Sequence, residues 1–127
     1  MAKRISIVVS VYNEELSLRD FFQETTKVLE TLSDSWEYEL LFVNDGSQDQ
    51  SLSILREFAD ADSRVKVINF SRNFGHEAAM IAGIDYASGD GIICMDADLQ
   101  HPPECILEII EKFEEGYEII NMVRTRN

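Results

Sequence analysis

Two kinds of hydrophobic pattern alternate along this chain. Apolar runs rich in β-branched residues are typical of buried strands, and apolar residues spaced three or four apart are typical of amphipathic helices. The first pattern predicts five strands, at residues 5–11, 38–43, 65–70, 91–95 and 117–123. The second predicts four helices, at residues 14–32, 49–60, 76–87 and from Pro102 until Gly116 ends the last one. Ser47 and Gln50 have the spacing of a capping box at the start of the second helix.

Strands that alternate with helices across short connections predict an α/β fold. The expected architecture is a Rossmann-like parallel sheet with helices on both faces. The 127 residues, 45% of them hydrophobic, suffice for one domain with a core, and no linker or repeat divides residues 1–127. Ligands of such sheets bind beyond the carboxyl ends of the strands.

The charge and composition of the chain argue against several classes of function. The net charge is −13, from 11 basic and 24 acidic residues, which argues against nucleic-acid binding and against adhesion to anionic lipid. No apolar stretch approaches the ~20 residues of a membrane span, and the N-terminus does not resemble a signal peptide. Cys94 and Cys105 are expected to be reduced core thiols, so these features predict a cytoplasmic chain.

The most specific chemical feature is Asp96-Ala97-Asp98, where the fourth predicted strand ends. In extended backbone, residues i and i+2 point to the same side, so the two carboxylates face one way. A divalent cation would relieve their repulsion, and hard cations prefer oxygen ligands. The simpler alternative is an acidic corner that caps the next helix, because D-x-D is a short pattern with many chance matches.

Polar residues follow the other predicted strands as well, and a parallel sheet brings them to one edge. A nucleotide diphosphate held through Mg²⁺ or Mn²⁺ fits this set, with Asp98 and Gln100 as metal ligands. Asp96 would either join them or bond a ribose hydroxyl. Neither G-x-G-x-x-G nor a P-loop occurs, which argues against dinucleotide oxidoreductases and P-loop nucleotidases. An aspartyl phosphatase is disfavoured because its paired aspartates follow the first strand.

Each remaining candidate also has a purely structural interpretation. Asp45 is placed to accept a hydrogen bond from a base or ribose, but it also suits a tight turn. Glu14 has the same two possibilities, as a ligand contact or as an acid in the first turn of a helix. Arg72 and Arg124 are either cations near the expected phosphates or solvated charges. His76 either lies near the expected sugar or begins a helix.

Four segments, in this order, resemble the inverting glycosyltransferases of the GT-A fold. They are residues 8–15 (VVSVYNEE), 43–47 (VNDGS), 71–77 (SRNFGHE) and 95–104 (MDADLQHPPE). The resemblance is greatest to the polyprenyl-phosphate branch of family 2, which includes dolichyl-phosphate mannosyltransferase and undecaprenyl-phosphate sugar transferases. It implies metal-dependent transfer of a sugar from a UDP- or GDP-sugar to a polyprenyl phosphate, with inversion.

The resemblance also implies roles for individual residues. Tyr12, Glu14 and Asp45 would hold the nucleoside. Asp96, Asp98 and Gln100 would hold the metal, and Asp98 and Arg124 would act on the diphosphate in catalysis. The other donor-site positions that match the family's motifs are Asn13, Gly46, Arg72, Asn73 and Ala97. His76 is also a donor-site candidate, at a position where this branch often has lysine.

The family's domain continues beyond residue 127, so we expect this chain to be the N-terminal, donor-binding part of a longer enzyme. Alone it should be inactive, and the parent protein should work at the cytoplasmic face of a membrane. Two alternatives stay open: a transferase that extends a polysaccharide or glycan hydroxyl, and a non-catalytic nucleotide- or metal-binding fragment. An exposed strand edge would also permit a homo-oligomer.

Overall fold

The computed structural model describes residues 3–32, 36–97, 105–114 and 119–121. Strands and helices alternate throughout these residues, and the predicted order of elements is confirmed. They are β1 (Lys3–Val11), α1 (Leu18–Glu30), β2 (Trp36–Asn44), α2 (Ser51–Ala61), β3 (Val65–Asn69), α3 (His76–Tyr86), β4 (Gly91–Asp96), α4 (Cys105–Glu114) and β5 (Ile119–Asn121). Among the helices of these residues, none is long and apolar enough to cross a bilayer.

The strands form one parallel sheet in the order β3-β2-β1-β4-β5. The chain runs outward from β1 to β3 and then crosses to β4, on the other side of β1. The register places Ser10 of β1 opposite Val43 of β2 and Asp96 of β4. The crevice beyond the ends of β1 and β4 is therefore the topological switch point, where such sheets bind ligands.

Helices cover both faces of the sheet, as predicted. Alternate residues of β1 belong to different clusters, because successive side chains of a strand point to opposite faces. Ile5, Ile7, Val9 and Val11 join the larger core with residues of α1, α2 and α4. Val8 belongs to a smaller cluster under α3.

The smaller cluster explains two features of the sequence. Gly83 of α3 lies directly on Val8, and a Cβ there would overlap the Val8 side chain, so the glycine lets α3 approach the sheet closely. Cys94 is buried in this cluster, and burial raises the pKa of its thiol. Cys94 and Cys105 are both free, as expected.

Helix starts differ from the sequence predictions in two places. α1 begins at Leu18 rather than at residue 14, so Glu14 is not an acid of the first helical turn. Its carbonyl instead accepts the backbone N–H groups of Ser17 and Leu18 in a preceding turn. The capping box is wrong as well: the N-cap of α2 is Gln50 without a side-chain cap, and the Ser47 hydroxyl accepts a hydrogen bond from another loop.

Two boundary predictions fall partly outside the described residues. Pro102 and Gly116, the predicted limits of the fourth helix, are not among them, and α4 is described over Cys105–Glu114. Of the predicted strand at residues 117–123, the described part is β5.

A buried charge lies near the amino end of the sheet, on the α3 face. Glu39 of β2 is only 2% exposed. Its carboxylate accepts hydrogen bonds from the Ser6 hydroxyl at 2.6 Å, the Ser88 backbone N–H at 2.7 Å and Lys66 Nζ at 2.9 Å. Because Ser6 also accepts the Gly89 N–H, this network joins β1, β2, β3 and the loop that follows α3.

The network determines the ionisation of Glu39. Burial alone would raise its pKa, but the hydrogen bonds from Ser6, Ser88 and Lys66 outweigh burial and lower the pKa to about 2. The carboxylate is therefore ionised in the folded protein well below its ordinary pKa of 4.5. The resulting stabilisation is complete above pH 4.5 and is lost as the pH falls towards 2.

At the carboxyl ends of the strands, Asp45 and Gly46 join the β2–α2 loop to the β3–α3 loop. The Asp45 carboxylate is 2% exposed and accepts the Phe74 N–H at 2.7 Å, the Gly75 N–H at 3.1 Å and the Asn73 amide at 3.0 Å. Gly46 has φ +71°, and a Cβ there would overlap the backbone of the β3–α3 loop. These contacts fix where α3 begins.

We expect Glu39→Gln to make the protein less stable near pH 6 by on the order of 3 kcal/mol, because the ionised acceptor is lost. The difference from wild type should narrow as the pH falls from 4.5 towards 2, where wild type loses the same charge. Urea unfolding at a series of pH values measures this difference. Glu37→Gln is the matched control, since Glu37 is exposed on the same strand. A difference that stays constant with pH would contradict the assignment.

We also expect Asp45→Asn to lower the free energy of unfolding by about 2–3 kcal/mol without any ligand, because buried N–H groups lose an acceptor oxygen. Asp90→Asn is the control, since Asp90 is exposed and accepts a single backbone N–H, from Arg4. Denaturant unfolding compares the two variants. If Asp45→Asn were as stable as wild type, Asp45 would not organise this loop.

Candidate functional site

A cavity of about 490 Å³ opens at the switch point. It lies between the carboxyl ends of β1, β2 and β4 and the start of α3, and its volume is typical of small-molecule sites, which span about 300–1,000 Å³. It is lined by Ser10, Tyr12, Glu14, Asp45, Asn73, Gly75, His76, Met80, Met95 and Asp96.

The structure brings together most of the predicted site residues that it describes. Six of them line the cavity: Tyr12, Glu14, Asp45, Asn73, His76 and Asp96. Four others lie beside it without lining it: Asn13, Gly46, Arg72 and Ala97. The predictions for Asp98, Gln100 and Arg124 fall outside the described residues.

One wall of the cavity is the pair formed by Asp96 and His76. Asp96 ends β4 with its side chain 11% exposed, and His76 begins α3 with its side chain 56% exposed. Asp96 Oδ1 lies 2.8 Å from His76 Nε2, within hydrogen-bond distance. The pair places a largely buried carboxylate and a half-exposed imidazole on the same side of the cavity.

The other wall comes from the loop that joins β1 to α1. Tyr12 is 45% exposed there. Glu14 Oε2 lies 2.9 Å from Ser17 Oγ, which also lies 2.9 Å from the Ala97 carbonyl oxygen. Ser17 therefore connects this wall to the end of β4, next to Asp96.

Four hydrogen bonds hold the β1–α1 loop to the β2–α2 loop and the first residue of α2. The backbone N–H groups of residues 13, 14 and 15 donate to Ser47 Oγ at 2.9 Å, Ser51 Oγ at 2.9 Å and Asp49 Oδ2 at 3.2 Å, respectively. In return, the Gln48 N–H donates to Asn13 Oδ1 at 2.8 Å. We call these four bonds the cross-loop clasp.

The four predicted residues beside the cavity have structural contacts of their own. Asn13 belongs to the cross-loop clasp, and Gly46 packs under the β3–α3 loop. Ala97 is buried, and its carbonyl contacts Ser17. The Arg72 guanidinium lies 4.7 Å from the centroid of the Phe74 ring, a cation–π distance.

Sequence reasoning missed four residues that line the cavity: Ser10, Gly75, Met80 and Met95. Two of them had a usable signal. Met80 is four residues after His76, and so lies on the same face of α3. Ser10 is two residues before Tyr12, and its strand neighbour is Asp96. Gly75 and Met95 belong to two of the segments that resemble the family, residues 71–77 and 95–104, but they were not singled out there.

Of the three predicted metal ligands, Asp96 lies within the described residues. Within the described part of the chain, no group of three or more His, Cys, Asp or Glu side chains is placed to hold a metal. Asp96, one of the three predicted ligands, does reach the cavity. The predicted set of two carboxylates and an amide oxygen suits Mg²⁺ or Mn²⁺, so the donor chemistry fits.

Solved structures with the same fold include a mannosyltransferase and a protein in complex with UDP. The mannosyltransferase PcManGT from Pyrobaculum calidifontis, in complex with GDP-Man and Mn²⁺, superposes with a TM-score of 0.70 at 20% identity. The alignment covers 84% of this chain and 31% of that one. TarS from S. aureus, in complex with UDP, gives a TM-score of 0.65 at 23% identity, over 88% of this chain and 32% of that one. The GT-A fold is thereby confirmed.

Two relatives are more similar in sequence. The uncharacterized glycosyltransferase YkcC of Bacillus subtilis is 57% identical over 121 residues, 95% of this chain and 37% of the relative. The undecaprenyl-phosphate 4-deoxy-4-formamido-L-arabinose transferase of Salmonella choleraesuis is 42% identical over 123 residues, 96% of this chain and 37% of the relative. The chain thus spans little more than a third of the length of these relatives.

The family model for glycosyl transferase family 2 matches residues 6–127, nearly the whole chain. Together with the parallel sheet and the cavity at its switch point, this match shows that the chain belongs to glycosyl transferase family 2.

Proposed function

We propose that the parent protein moves a sugar from a UDP- or GDP-sugar to a polyprenyl phosphate, with inversion at the anomeric carbon, and that this chain holds the donor. The observation that carries the proposal is the cavity where Tyr12, Glu14 and Asp96 converge beyond β1 and β4. The name of the Salmonella relative, an undecaprenyl-phosphate transferase, supports a polyprenyl-phosphate acceptor.

The two walls of the cavity suit the two halves of a nucleotide. Tyr12 offers a half-exposed aromatic ring for a base, and Glu14 offers a carboxylate for donors of the base or ribose. Asp45 and Asn73 also line the cavity. Because the Asp45 carboxylate already accepts hydrogen bonds from the β3–α3 loop, any contact with the nucleoside would add to that role.

The opposite wall suits the pyrophosphate. Asp96, Asp98 and Gln100 would hold Mg²⁺ or Mn²⁺, which when bound partly neutralises the pyrophosphate and stabilises it as the leaving group. His76 lies at the N-terminal end of α3, where the helix dipole favours anions. Arg124 would face the diphosphate, and Arg72 would supply a second cation nearby.

In the transfer itself, an acceptor phosphate oxygen attacks the anomeric carbon in line, and the bond to the nucleotide diphosphate breaks. The transition state should resemble an oxocarbenium ion. A phosphate monoester has a second pKa of about 6, so at neutral pH it is already ionised and needs little help from a general base. The acceptor site would lie in the remainder of the parent protein, at the cytoplasmic face of a membrane.

Titration calorimetry with UDP, GDP and their sugars, with and without Mn²⁺, tests the donor role. We expect one nucleotide to bind and Mn²⁺ to tighten its binding by about tenfold or more, equivalent to ~1.4 kcal/mol. Asp98→Ala should remove the effect of the metal, because a carboxylate ligand is lost.

Asp85→Ala is the matched control, because Asp85 is an exposed aspartate of α3 that does not line the cavity. It should leave the effect of Mn²⁺ as in wild type. If the affinity for the nucleotide were the same with and without Mn²⁺, the proposed role of the metal would be wrong. In the full-length protein, transfer of labelled sugar to a glycan hydroxyl instead of a polyprenyl phosphate would overturn the assigned acceptor.

A further inference from the structure

We infer that Asp49 is a positioning residue, which sets nucleotide affinity through the cross-loop clasp without touching the ligand. The inference rests on the proposed function, because it concerns the same cavity. Asp49 does not line that cavity. It acts on the β1–α1 loop, which carries Tyr12 and Glu14 on one wall.

The clasp holds three consecutive amides of that loop. The N–H groups of Asn13 and Glu15 donate to side chains of the β2–α2 loop, and the N–H group of Glu14 donates to Ser51, the first residue of α2. Asn13 has φ +52°, the left-handed conformation that asparagine tolerates better than most residues. With both the amides and this turn fixed, Tyr12 and Glu14 are held in place beside the cavity before any ligand arrives.

Asp49 has two separate roles, one in a local turn before α2 and one in the clasp. Its Oδ1 accepts the Ser51 N–H at 2.9 Å, which forms a local turn before α2. Its Oδ2 accepts the Glu15 N–H from the other loop. Burial would raise the pKa of Asp49, but hydrogen bonds from Ser51 and Glu15 outweigh burial and lower the pKa, so both oxygens are acceptors at neutral pH.

An asparagine at position 49 would separate these roles. Its single carbonyl oxygen can still accept the Ser51 N–H, whereas its NH₂ group cannot accept the Glu15 N–H. The turn before α2 would remain and the bond across the loops would be lost. The β1–α1 loop would then be less ordered before the nucleotide binds. Because ordering the loop on binding costs free energy, the affinity for the nucleotide would fall.

Asp62→Asn is the matched control. Asp62 makes the same kind of local turn, with Oδ1 accepting the Arg64 N–H at 2.9 Å. It lies at the C-terminal end of α2, away from the cavity, and pairs with Arg64. Both variants should cost some stability, but only Asp49→Asn should change ligand binding.

The test uses the protein expressed at the full length of its gene, with UDP and GDP as probes in calorimetry. Asp49→Asn should weaken the binding of the preferred nucleotide by about tenfold, the scale of one hydrogen bond to a charged acceptor. The factor by which Mn²⁺ tightens binding should stay as in wild type, because the clasp does not include Asp96, the predicted metal ligand at the end of β4. Without ligand, the amides of residues 13–15 should exchange hydrogen faster.

A second pair of variants checks the clasp at another bond. Ser47→Ala removes the acceptor for the Asn13 N–H, whereas Ser47→Thr keeps a hydroxyl in its place. Ser47→Ala should weaken nucleotide binding, and Ser47→Thr should restore most of it. If Ser47→Ala bound the nucleotide as tightly as wild type, this bond would have no part in positioning the loop.

The possible outcomes distinguish the positioning role of Asp49 from the proposed function of the cavity. If wild type binds a nucleotide and Asp49→Asn binds it equally well, the positioning role is wrong and the proposed function stands. If Asp62→Asn weakens binding as much as Asp49→Asn, the effect is one of general stability and the positioning role is again wrong. If wild type binds neither UDP nor GDP, the proposed function fails, and this inference fails with it.

Discussion

The site depends on the parallel register of β1 between β2 and β4. Because the carboxyl ends of these strands lie side by side, loops that are distant in the sequence meet at one edge of the sheet. The register places Asp96 opposite Ser10, on the face that α3 covers. A one-residue shift of β4 would turn the Asp96 side chain to the other face and separate it from His76.

Contacts at the amino ends and at the carboxyl ends of the strands hold α3 in different ways. At the amino ends of the strands, Glu39 accepts a hydrogen bond from the Ser88 N–H in the loop that follows α3. At the carboxyl ends, Asp45 accepts a hydrogen bond from the Gly75 N–H just before α3. Gly83 allows close contact with β1 between these anchors. The helix is thereby fixed at both ends and in the middle, and His76 at its start is brought within hydrogen-bond distance of Asp96.

The sequence correctly predicts the features that depend on neighbouring residues, namely the strands, the helices and their order. The β-branched run at residues 5–11 predicts a strand wherever it packs, and the order of strands and helices predicts the parallel sheet. That sheet in turn predicts that Tyr12, Asp45 and Asp96 meet at one edge, and the structure confirms that they line one cavity.

The failures arise where partners are distant in sequence. Ser47 has the spacing of a capping box, yet its hydroxyl accepts the N–H of Asn13, 34 residues earlier. The start of α1 was misplaced for a related reason, because residues 13–15 donate their amides to side chains of the other loop and of the first residue of α2. No property of either segment alone reveals a bond that forms only when the sheet brings both loops together.

The proposed function requires that the cavity beyond β1 and β4 holds a nucleotide diphosphate, with a divalent cation at the end of β4. A crystal structure of the protein with Mn²⁺ and the nucleotide it prefers tests this most directly. We expect the base to lie against the wall of Tyr12 and Glu14 and the pyrophosphate to lie beside His76, with anomalous density for Mn²⁺ next to Asp96. Nucleotide bound at another surface, with the cavity empty and Asp96 still bonded to His76 without a metal, would contradict it.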